Sequence, residues 1–81
     1  MKPDLEYCCI FNMPMGYEPE EYIAIGTTPE KAEEYFERDC VYDISAQLSL
    51  EQGDQIHAEV HLMDDDGELK FIRKATFLAR E

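Results

Sequence analysis

Apolar and polar residues alternate along most of this chain, and one stretch breaks the alternation with a helical period. Leu5 to Asn12 predicts a strand, with Leu5, Tyr7, Cys9 and Phe11 on one face and Glu6, Cys8, Ile10 and Asn12 on the other. Met13-Pro14-Met15-Gly16 and then Tyr17-Glu18-Pro19-Glu20-Glu21 read as a loop, because two prolines and a glycine interrupt any period. Tyr22 to Ile25 is a short second strand ended by Gly26. Thr28-Pro29 opens a helix running to about Asp39. The Thr28 hydroxyl can cap free backbone N–H groups, Pro29 loses no hydrogen bond at the first helical position, and the helix dipole favours Glu30 in the first turn. Ala32, Tyr35 and Phe36 face inward, with Cys40 at the helix end.

After Cys40 two periods compete. The helix can be continued through Val41 to Leu50, but Tyr42, Ile44, Ala46, Leu48 and Leu50 alternate with Asp43, Ser45, Gln47 and Ser49, the pattern of a half-buried strand, and a strand is the expectation. Gln52-Gly53-Asp54 turns the chain. Ile56, Ala58, Val60 and Leu62 then alternate with His57, Glu59, His61 and Met63, and Asp66-Gly67 is a strong hairpin signal before a last strand from about Leu69 to Ala79. In that strand Arg73 shares a face with Leu69, Phe71, Ala75, Phe77 and Ala79.

Parity sets the register. A three-residue Gln52-Gly53-Asp54 loop places Leu50 opposite Ile56, Leu48 opposite Ala58 and Ala46 opposite Val60. A two-residue Asp66-Gly67 loop places Leu62 opposite Phe71, Ala58 opposite Ala75 and Ile56 opposite Phe77. A one-residue slip in either would turn apolar sets to water. The order is ββαβββ: a single α+β domain over residues 1–81, an antiparallel sheet of about five strands with one helix on its apolar face.

Composition narrows the partners. The 81 residues include 19 acids and 7 bases, a formal net charge of −12, while 44% apolar residues are too many for a disordered acidic tail. Such a charge opposes direct binding to nucleic-acid phosphates or anionic membranes. The longest apolar run, Tyr7 to Phe11, cannot span a bilayer, and no apolar leader core follows Met1-Lys2-Pro3-Asp4, so the expected location is cytoplasmic. Cys8, Cys9 and Cys40 give no disulfide framework and read as free thiols of a reducing compartment.

Candidate chemistry is sparse. His57 and His61, four apart on a strand, lie roughly 13 Å from one another, too far for one metal ion. Ser49 opposite His57 and Ser45 opposite His61 could hydrogen-bond, but a flat exposed sheet face supplies neither an oxyanion hole nor a pocket. The four glycines are scattered one per turn and form no phosphate cradle, and Asp64-Asp65-Asp66-Gly67-Glu68 lacks the alternating acids of a calcium loop. Neither a catalytic residue, a metal ligand nor a cofactor is therefore expected.

Charge is the informative signal. Residues 1–39 carry ten acids and three bases, residues 40–68 carry eight acids and no base, and residues 69–81 carry one acid against Lys70, Arg73, Lys74 and Arg80. On the helix Glu30, Glu33, Glu34 and Glu37 form one stripe, whose like-charged pairs four apart each cost roughly 0.2–0.5 kcal/mol. Reversing Glu33 and Glu37 should then leave folding intact or improve it. Neighbours on such a stripe lie roughly 5–6 Å apart, comparable with the step between successive phosphates of a nucleic-acid strand. Glu18, Glu20 and Glu21 in the first loop and Asp64, Asp65 and Asp66 in the turn add anionic points, and Tyr17 and Tyr22 are candidate aromatic anchors. In size, charge and single-domain build, though in no motif, the chain resembles small phage-encoded inhibitors of host defence. That resemblance implies a nucleic-acid mimic of anti-CRISPR or anti-restriction type, from a phage or mobile element, filling a basic nucleic-acid-binding surface. The alternative is a non-catalytic accessory or regulatory domain that binds a basic protein without mimicry. A free sheet edge also allows a homodimer.

Overall fold

The computed structural model describes residues 5–80; residues 1–4, read above for a leader, and residue 81 lie outside the described part. The described chain folds as β1 (Glu6–Asn12), β2 (Glu21–Gly26), α1 (Pro29–Asp39), α2 (Val41–Gln47), β3 (Gln55–Met63) and β4 (Leu69–Leu78). The α+β class stands, with four strands and two helices instead of five and one. The sheet is antiparallel in the order β2-β1-β3-β4.

The helix start follows the sequence signals. Thr28 is extended and its hydroxyl accepts from the Lys31 amide at 3.0 Å, with Pro29 opening the helix. Ala32 and Phe36 are buried against the sheet and Tyr35 is half-buried. Gly26 sets how closely α1 and β2 approach: a Cβ built there would lie 2.6 Å from the Ala32 backbone nitrogen. Phe36 meets Phe77 of β4 with ring centroids 5.0 Å apart, so one aromatic pair joins the helix to the far edge strand.

The predicted strand at residues 42–50 is instead α2. Val41, Ile44 and Ser45 are buried and Leu48 half-buried, a helical stripe, whereas Tyr42 and Ala46, inward by alternation, are exposed. The buried Ser45 hydroxyl donates to the Val41 carbonyl at 2.7 Å and accepts the Arg80 amide at 3.1 Å, so a polar residue sits in the stripe fully satisfied. The helix stops at Ser49, which takes φ 54°, while the Leu50 amide bonds the Ser45 carbonyl and the Ser49 amide bonds that of Ala46. These are the paired bonds of a Schellman cap, with serine where glycine is usual. Gln52-Gly53-Asp54 therefore links a helix to β3, not two strands, and β1 occupies the place expected for residues 42–50 beside β3.

The second hairpin differs at its tip. The Asp64 amide bonds the Glu68 carbonyl at 2.8 Å, and the Gly67 amide, at φ 82°, bonds that of Asp64 at 2.9 Å. This is a three-residue loop, one longer than expected. Ile56 still faces Phe77 and Ala58 faces Ala75, but His61 faces Phe71 and Leu62 faces Lys70. Ile72 is the unpaired bulge residue that reconciles the two halves.

Both helices cover the same face, where Ile56, Ala58, Val60, Ala75 and Phe77 join Cys9, Ala24 and Phe36 in the core. Gly26→Ala should lower stability by about 1–3 kcal/mol, because the methyl group meets helix backbone instead of a movable side chain. Denaturant unfolding measures this, with Gln52→Ala as the surface control expected to change little.

Candidate partner-binding surface

The sequence-predicted acids fall into three separate groups. On α1 the stripe is stitched to β4. Both Nε, at 2.9 Å, and a terminal nitrogen of Arg73 donate to Glu33, and Glu30 lies 3.9 Å from the same guanidinium. Arg80 reaches Glu37 at 2.6 Å, and Lys31 reaches Glu34 at 3.3 Å. Hydrogen bonding to Glu33, then its charge, holds the Arg73 pKa above its ordinary value. At the helix end Arg38 pairs with Asp39 at 2.8 Å, and this bond holds the Asp39 carboxyl below its ordinary value. The cations of the last segment were visible in the sequence; their position against the α1 glutamates depends on tertiary pairing.

The second group is the β1–β2 loop. Its Met13 amide bonds the Glu20 carbonyl at 2.8 Å, and Gln47 of α2 donates to the Glu18 carbonyl at 3.0 Å and to the Tyr22 hydroxyl at 2.8 Å. Tyr17 and Tyr22 are half-buried and pack against the core, so each offers only part of its ring outward. Met13 is buried, while Met15 is fully exposed beside Glu18 and Glu20 in a shallow cleft. Among the described residues none of Glu18, Glu20 and Glu21 has a cationic partner. Sequence reasoning passed over Met15 and Gln47, since an isolated methionine and glutamine carry no spacing signal.

The third group lies at the opposite end of the sheet, because β1 and β3 run antiparallel and the β3–β4 turn adjoins Glu6. Asp64 has structural work there: its side chain accepts the Asp65 amide at 2.7 Å and lies 3.5 Å from Lys70. Asp65 and Asp66 are exposed. The three groups do not align into one phosphate-like row.

The serine–histidine pairs separate. Ser45 is in α2 and Ser49 in its cap, while His57 lies 3.3 Å from the Thr76 hydroxyl and His61 lies 3.1 Å from Glu59. Among the described residues no three His, Cys, Asp or Glu side chains are grouped to hold a metal ion, and no helix is long and apolar enough to cross a membrane. Cys8, Cys9 and Cys40 are free and buried. Burial, then the charge of Glu33, pushes the Cys9 thiol up to about 12, and burial raises Cys8 and Cys40 too.

No protein-family model matches the chain, and no curated protein or solved structure is significantly similar to it.

Glu33→Lys with Glu37→Lys should lower the melting temperature, since two cross-element pairs become cation–cation contacts; a thermal melt tests this reversal of the sequence-based expectation. The thiols should react with a disulfide reagent at pH 8 far more slowly in the native protein than in denaturant. Because Cys9 ionises near pH 12 folded and near its ordinary 9.0 unfolded, the unfolded chain releases its proton first on raising the pH. Stability is then full below about pH 9 and declines from there towards pH 12, as alkaline denaturation curves will show.

Proposed function

We propose that this chain is a stoichiometric, non-catalytic protein-binding domain that docks its anionic surface on a basic surface of a nucleic-acid-handling protein complex. One observation carries the reading. Five of the seven cations, Lys31, Arg38, Lys70, Arg73 and Arg80, are engaged by carboxylates of the chain itself. Two acidic clusters remain without a cation among the described residues: Glu18, Glu20 and Glu21 at one end of the sheet, and Asp65, Asp66 and Glu68 at the other. A net charge of −12 steers a cationic partner towards these clusters from a distance and disfavours anionic ones.

In this reading the α1 glutamates serve the fold first, and the β1–β2 loop makes the principal contact. Exposed Met15 beside Glu18 and Glu20 gives the loop an apolar contact next to its charge. Apolar anchors supply more of an interface's free energy than rim charges do. Nucleic-acid mimicry of anti-CRISPR or anti-restriction type is the narrower form, in which the docking surface is also the partner's phosphate site.

The test is affinity capture at low and high salt from a lysate rich in nucleic-acid-handling proteins, followed by titration of the recovered partner. Glu18→Lys with Glu20→Lys and Glu21→Lys should slow association about tenfold at low salt, the difference shrinking as salt screens the field. Competition by duplex DNA or RNA marks the mimicry form. A complex indifferent to both salt and charge reversal rules out the acidic docking surface.

A further inference from the structure

Both helices pack on one face of the sheet and leave the other face uncovered. One register row across it holds Ile25, Cys8, His61 and Phe71; the next holds Ile23, Ile10, Glu59 and Lys74; the row beside the turn holds Glu6, Met63 and Leu69. An open antiparallel face is ordinarily polar, and β3 supplies His57 and Glu59 accordingly. Its flanks do not: Ile23 is 45% exposed, Ile25 49%, Leu69 46% and Phe71 54%. These side chains form two apolar edges, with Cys8, only 1% exposed, in the row between them, and such exposed apolar groups mark the face as an interaction site. His61 lies on the same face, edge-on to Phe71 at 5.7 Å, and its Nδ1 is buried with no hydrogen-bond partner among the described residues.

Charge selects the occupant. Glu6, Glu21 and Glu59 belong to this face, Asp65, Asp66 and Glu68 follow in the adjoining turn, and Lys74 is its one cation among the described residues. A second copy would bring the same acids against these. A basic segment meets them with opposite charge. Size suits a helix: four strands span about 14 Å between outer axes, and three helical turns cover about 16 Å. We infer that this face is the docking site for a basic amphipathic helix, with its apolar stripe on Ile23, Ile25, Leu69 and Phe71 and its Lys or Arg flanks against Glu6, Glu21 and Glu59. The inference rests on the proposed binding of a basic partner and names that partner's form.

The experiment uses two synthetic peptides of identical Leu and Lys composition, one with leucines on a single helical face and one scrambled. The amphipathic peptide should bind one-to-one, about tenfold tighter than the scrambled one, and perturb the NMR signals of Ile23, Ile25 and Phe71. Phe71→Ser and Ile25→Ser should each remove about tenfold of that affinity, the loss typical of an interface anchor, while each variant still melts cooperatively as a folded domain. Asp43→Asn with Glu51→Gln, exposed acids outside this face, should leave the preference between peptides intact. Equal binding of both peptides, insensitive to Phe71→Ser, would overturn the inference while leaving a basic partner in place. Binding of neither at low salt removes both readings. A dimer of the free protein that Phe71→Ser dissolves gives the face to a second copy and also overturns the proposal.

Discussion

The unpaired residue in β4 decides which way the outer half of that strand faces. From Val60 onward in β3, the partner changes from Arg73 to Phe71, and Ile72 is passed over. Side chains alternate strictly along a strand, so one extra residue exchanges the two faces. Below the bulge, Arg73, Ala75 and Phe77 point to the helix side; above it, Leu69 and Phe71 point to the open side. Without Ile72 as a bulge, a three-residue turn would carry its offset along the whole hairpin and set Ala75 and Phe77 on the wrong face. The longer turn and the bulge are therefore one device. Together they keep the core register and deliver two large apolar residues to the uncovered face.

The same device arranges the charges. Arg73 on the helix side reaches Glu33 and Glu30, and Arg80 beyond the strand end reaches Glu37. A helix whose glutamates repel one another is thereby tied to a segment, Leu69 to Arg80, that carries four of the chain's seven Lys and Arg residues. Such exposed pairs contribute modestly each, and the buried aromatic contact between Phe36 and Phe77 beneath them supplies the larger part of the attachment. The net charge does not fall when pairs form inside the molecule. It is redistributed, and the unpaired carboxylates concentrate at the two ends of the sheet.

Local signals made β1, β2, α1 and β3 legible, because a clean alternation, a Thr-Pro cap and a glycine stop each act within a few residues. Helix α2 escaped because Ile44 and Leu48 belong to both the alternating and the helical set. Ser45 looks like a surface residue until its hydroxyl is seen satisfied by Val41, and Ser49 takes the left-handed cap position that glycine would have announced. The pairing of β1 with β3 spans most of the chain and has no local signature. Among the candidate acids, the groups were legible but their roles were not. The cations at Arg73 and Arg80 were plain in the sequence, yet their meeting with α1 depends on that long-range pairing and on the bulge.

Under the proposed function, the uncovered face and the uncompensated charge are linked. A chain of 81 residues buries a limited core, and repulsion among its excess carboxylates opposes the compact state. A basic partner relieves that repulsion and covers exposed isoleucine and phenylalanine in one step, so binding adds to folding stability as RT ln(1 + [L]/Kd), about 2.7 kcal/mol at a hundredfold excess over Kd. Salt then acts with opposite signs on the two states. Screening steadies the free domain by muting its self-repulsion, and weakens the complex by muting the attraction that formed it. An acidic surface that costs the free protein stability is thus consistent with a domain whose working state is the bound one.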